Sequence, residues 1–176
     1  VREVKLEQLP FFFYGTLRPG EHNYGQLLKG RTSREEAGWW LPNAALYLYA
    51  SGDYSHLKDG MTVYQPSGSY PYMVEGNGRV AGHLVEVRPE LYETLLPELD
   101  WLEGFSEDAP EEENEYLRIV REIEHESGKK IRAWVYLAAP HAFARQRSKL
   151  TAIESGDWLE WRARQLQAEQ TQSKEG

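Results

Sequence analysis

The chain has 176 residues, 40% of them hydrophobic, a net charge of -8 and no cysteine. That length suffices for one domain with a full core and is short for two, and the apolar content argues against global disorder. An acidic balance without a cluster of Lys and Arg argues against nucleic-acid binding, and the lack of cysteine excludes disulfides, thiolate metal sites and a cysteine nucleophile.

In chain order, Phe11 to Tyr14 is a short, wholly apolar run between Pro10 and Gly15. It reads as a strand buried on both faces. The segment "EHNYGQLLKG" predicts a brief helix that carries Leu27 and Leu28 and closes at Gly30. Residues 44–50 read as a strand. From Ser51 to Gly78 the chain is rich in Gly, Ser, Pro and Tyr, and "SGSYPYMV" marks irregular structure. Arg79 to Val87 alternates as a strand does.

Pro89 supplies a helix start, and Leu91, Leu95, Leu99 and Leu102 recur at helical spacing. Pro97 lies inside that pattern and predicts a kink or two consecutive short helices. The acidic "EGFSEDAPEEENE" reads as a solvated loop. "YLRIVREIE" and "KIRAWVYLA" flank a turn at Gly128, which predicts a β-hairpin. A last helix starts at "SGDW", with Asp157 as N-cap, and runs to about Glu169, and "QTQSKEG" beyond it reads as a frayed tail. Strands outnumber usable crossover helices, so the expected fold is α+β: a small curled sheet or β-barrel with peripheral helices.

A buried strand that ends in Gly-Thr and leads to a helix leaves several backbone N–H groups without partners, which makes an anion cradle at Gly15 to Leu17. Glycine at 15 permits positive φ and close approach by a ligand. The same residues also fit an ordinary strand end and turn. A nucleotide loop does not fit: Gly15 and Gly20 have its spacing, but Glu21 and His22 stand where Lys and Ser or Thr are required.

Asp100 and Glu103 stand three residues apart on the helix, and Glu103 directly precedes Gly104, the expected residue past its end. The negative end of the helix and the Asp100 charge both push the Glu103 pKa upward, and flanking Trp101 and Phe105 add desolvation. A Glu near neutrality suits general acid–base chemistry; an exposed helix-end carboxylate is the plainer alternative. Two carboxylates on one turn cannot easily flank a sugar bond, which ranks a glycosidase low. The five histidines are scattered, so no metal is expected.

Taken together, "FFFYGTLRPG", "YPYMVEGNGRVAGHLVEV", "ELDWLEGF", "EYLRIV", "AWVYLA" and "SGDW" resemble, in this order, the γ-glutamylcyclotransferase-like family, which includes plant AIG2-type proteins and γ-glutamylamine cyclotransferases. The resemblance implies a small mixed barrel that cleaves γ-glutamyl amides by internal cyclisation to 5-oxoproline. It places the substrate-binding loop on Tyr14, Gly15, Thr16 and Leu17, the catalytic glutamate on Glu103, and Tyr116 and Tyr136 along the pocket. It implies no cofactor and no metal, and a small γ-glutamyl molecule as partner.

Residues 1–160 are expected to form the single domain, with 161–176 as helix end and polar tail. No apolar run approaches the roughly 20 residues of a spanning helix, and the start lacks the order of a signal peptide. The expected location is cytoplasmic, with no membrane or nucleic-acid partner. A non-catalytic domain that binds small carboxylates on the same scaffold is the alternative reading.

Overall fold

The first strand, β1 (Phe11–Phe13), is buried along its whole length, and its side chains divide between two cores. Phe12, with Tyr14 just beyond the strand, joins one core with Trp39, Leu84, Ile123 and Val135. Phe11 and Phe13 join a second with Val85, Tyr92, Leu95 and Leu99. Alternation along a strand accounts for this division, and it explains why four consecutive aromatics are needed: neither face meets water.

The computed structural model describes residues 7–49 and 71–174. After β1 come α1 (His22–Leu27), the long strands β2 (Thr32–Tyr49) and β3 (Pro71–Val87), and α2 (Tyr92–Leu102). The hairpin β4 (Tyr116–His125) and β5 (Lys130–Ala138) follows, then α3 (Pro140–Gln146), β6 (Leu150–Ala152) and α4 (Trp158–Lys174). β3 pairs with β1 and β2, β1 runs parallel to β5, and β4 pairs with both β5 and β2. Among the described residues, five strands therefore close into a barrel, and β6 adds to β2 outside the ring. The fold is the expected α+β barrel with helices outside.

The barrel is tight where β1 crosses β3. A Cβ on Gly82 would lie 2.5 Å from the Phe13 carbonyl oxygen and 2.6 Å from the Phe12 ring, so only glycine fits there. α2 lays Tyr92, Leu95 and Leu99 over the outer face of β1, and Trp158 of α4 closes the inner core.

Four expectations need correction. The strand expected at 44–50 begins at Thr32, and its last residue lies outside the described set. Gly38 and Asn43 take positive φ where β2 slips register against β3, and these bulges, with Pro42 beside them, hide the strand's alternation. Of the region read as irregular, 51–70 lies outside the described residues, whereas 71–78 is regular strand in β3.

Helix α2 runs through Pro97 without a break. The break comes earlier, where a 3-10 turn (Pro89–Leu91) precedes it. Pro97 and Glu93 are both exposed, so water can satisfy the Glu93 carbonyl that loses its donor. Finally, the tail from Gln170 is helical to Lys174, where it continues α4. The short elements α3 and β6 have no counterpart among the expected elements.

Candidate active site

β1 delivers the chain into a turn whose amides are left over. Arg18 N–H bonds the Gly15 carbonyl at 3.1 Å and Tyr24 N–H bonds the Thr16 carbonyl at 3.1 Å. Among the described residues, the N–H groups of Gly15, Thr16 and Leu17 bond to nothing. Consecutive unpaired amides of this kind form a small concavity of positive potential.

Side chains hold the turn still. Asn23 donates to Thr16 Oγ1 at 2.6 Å. Buried Arg18 donates to His83 Nδ1 at 3.0 Å and pairs with Asp157 at 3.1 Å. Asp157 also caps α4 by accepting from Leu159 N–H at 3.1 Å, so one carboxylate ties the turn to the last helix. Gly15 does not use the positive φ that glycine permits; in this turn that conformation occurs at Gly20. Its lack of a side chain matters for another reason: a Cβ would lie 2.9 Å from Pro71 Cγ.

The end of α2 supplies the carboxylate. Gly104 has a φ of 64°, Phe105 N–H bonds the Asp100 carbonyl at 2.9 Å, and Gly104 N–H bonds that of Trp101 at 3.1 Å. This paired closure fixes Glu103 at the helix C-cap. Asp100, one turn earlier, accepts two hydrogen bonds on Oδ1, from Arg118 Nε at 2.8 Å and from the Tyr136 hydroxyl at 2.7 Å.

Among the described residues no hydrogen bond or ion pair engages the Glu103 side chain. Burial pushes its carboxyl up to about 7, and repulsion from Asp100 adds to the shift. Trp101 does not provide that burial, as the sequence reading expected, because it is 82% exposed. Three tyrosines share its cavity. Burial raises the phenols of Tyr14, Tyr116 and Tyr136, and the nearby Glu103 charge raises each further.

Both parts line one cavity of about 390 Å³. Every site residue named from the sequence borders it: Tyr14, Gly15, Thr16, Leu17, Glu103, Tyr116 and Tyr136. Its volume suits a small molecule. No Lys, Arg or His is among its described lining residues, so the N–H row is what can compensate an anion there.

A family model described as gamma-glutamyl cyclotransferase, AIG2-like matches residues 11–160. The chain belongs to that family. Three solved structures share the fold. An uncharacterized protein from Pyrococcus horikoshii has a TM-score of 0.50 and 21% identity, over 90% of this chain and 97% of that one. An AIG2-like protein from Mus musculus gives 0.51 and 22%, over 83% and 86%. An allophanate hydrolase from Kluyveromyces lactis gives 0.54 and 13%, over 89% of this chain and 21% of that one. No curated protein matches the chain.

Membership in the gamma-glutamyl cyclotransferase, AIG2-like family supports a cyclotransferase-type function broadly, and with it a small-molecule substrate. Several lining residues escape the sequence reading, among them Tyr72, Asn23 and Glu115. Tyr72 stacks on Tyr116 at 5.7 Å but lies in the stretch that reads as irregular. Asn23 and Glu115 come from a helix and a loop whose sequence signals only secondary structure. Among the described residues no group of three His, Asp or Glu side chains converges as a metal site, and no helix is long and apolar enough to cross a membrane.

Proposed function

We infer that the protein is a γ-glutamyl cyclotransferase that cleaves a γ-glutamyl amine or peptide into 5-oxoproline and a free amine or amino acid. One observation carries this reading: a Glu103 carboxyl raised to about 7 and three N–H groups without a partner among the described residues border the same cavity.

The substrate's α-carboxylate sits on the N–H groups of Gly15 to Leu17, which holds the glutamyl chain folded toward its own γ-carbonyl. Ionised Glu103 takes a proton from the α-amine, whose nitrogen attacks the γ-carbon. The ring C–N bond forms, the original amide C–N bond breaks, and Glu103 returns the proton to the departing nitrogen. A carboxyl near neutrality can do both steps at physiological pH, because it is a competent base when ionised and a competent acid once protonated. Tyr14, Tyr116 and Tyr136 shape the pocket and keep bulk water from the carboxylate. No cofactor is required.

The same reading takes residues 1–160 as the catalytic unit and the cytoplasm as its place of work. Incubation with a panel of γ-glutamyl amides tests it: 5-oxoproline and amine should appear in equal amounts. Saturable binding of those amides by calorimetry with no product would instead assign a non-catalytic binding domain.

A further inference from the structure

A groove of about 360 Å³ lies between α1 and α2, walled by Leu27, Pro97, Trp101 and Leu102. Asn23, Trp101 and Leu102 border both this groove and the candidate site cavity, so the two spaces adjoin at the end of α2. Trp101 is 82% exposed. A lone exposed tryptophan is ordinary, but this one shares a groove with Leu27, Pro97 and Leu102, which makes a contiguous apolar surface.

We propose that this groove receives the leaving-amine portion of the substrate, and that Trp101 favours γ-glutamyl amides whose amine carries an aromatic or extended apolar group. The inference rests on the cyclotransferase reading for its reacting end. The departing nitrogen takes its proton from Glu103, so it lies beside that residue. Leu102 and Trp101 directly precede Glu103, and a chain extending from the nitrogen along them enters the groove.

Asn23 marks the junction. It is held to Thr16, and so the glutamyl head and the tail are received by adjoining residues. Glu98 in the groove wall is paired with Arg31 at 2.8 Å, and among the described lining residues there is no Lys or Arg to receive an acidic tail.

The test uses the Glu103→Gln protein, so that binding is read without turnover, and two probes: γ-glutamyl-phenethylamide and γ-glutamyl-ethylamide. Calorimetry should show the phenethylamide bound about tenfold more tightly, at the low end of what an added apolar group gains in a hydrophobic pocket. Adding Trp101→Ala should reduce the ratio to within about twofold, whereas Trp101→Phe should keep most of it, because an aromatic face remains. Equal affinities in Glu103→Gln, or no binding of either amide, would overturn the proposal. So would a Trp101-dependent dimer without discrimination, which would make the groove a surface for a second copy. Wild-type turnover of the same probes is measured in parallel. Discrimination retained without any 5-oxoproline would refute the cyclotransferase reading and leave the groove assignment standing.

Discussion

Asp100 and Glu103 occupy successive turns at the end of α2, and Asp100 is paired with a cation, Arg118, whereas no described residue pairs with Glu103. Glu103 is the one raised to about 7. Two carboxylates of like chemistry thereby stand in different environments: one is held by Arg118 and Tyr136, and no described residue holds the other.

The pH dependence follows from this separation. Under the proposed cyclotransferase mechanism Glu103 must be ionised to act as base, so kcat/KM should rise with pH through about 7. Asp100→Asn removes the repulsion and should move that limb to lower pH. Arg118→Met exposes the Asp100 charge and should move it higher. Opposite displacements in pH–rate profiles are the expected result.

Stability should carry the same signature. The folded state holds the Glu103 proton up to about 7, while the unfolded chain releases it in the ordinary carboxylate range. Stability from this group is therefore complete below that range and is lost as pH rises to about 7. Glu103→Gln should be more stable than wild type at pH 8 by on the order of 2 kcal/mol, a figure reduced for the carboxylate's contact with cavity water, and nearly equal at pH 4. Thermal melts at the two pH values measure the difference.

Glycines at two positions should respond oppositely. Gly82→Ala forces a methyl against the Phe13 carbonyl and the Phe12 ring and should cost about 3 kcal/mol. Gly25 in α1 has open space for 4 Å around the position a methyl would take, so Gly25→Ala should stabilise by up to about 1 kcal/mol. Denaturant unfolding compares them.

Asp157 serves both Arg18 and the start of α4. Asp157→Ala leaves a buried guanidinium unpaired and the helix uncapped, and should cost about 4 kcal/mol. Asp157→Asn keeps the cap and should cost roughly half as much. Because Arg18 steadies the N–H row, both variants should raise KM for γ-glutamyl substrates.

Local chemistry makes part of this molecule legible in the sequence. Phe11 to Tyr14 can be read because an unbroken apolar run bounded by Pro and Gly has few other solutions. Glu103 can be read because Gly104 ends the helix beside it. The first half of β2 cannot, since Gly38, Asn43 and Pro42 bulge the strand and erase its period. The Arg18–Asp157 pair spans 139 positions, and nothing local announces a contact that only barrel closure creates. Trp101 reads as a source of desolvation because sequence gives no direction for a side chain at a helix end, and the structure turns it outward.

The most direct measurement is 5-oxoproline release from a γ-glutamyl amide at pH 8 by wild type and by Glu103→Gln, with melting curves confirming that both are folded. A loss of at least about 100-fold in kcat is expected when the carboxylate is removed. Undiminished 5-oxoproline formation by Glu103→Gln would contradict its role as the base.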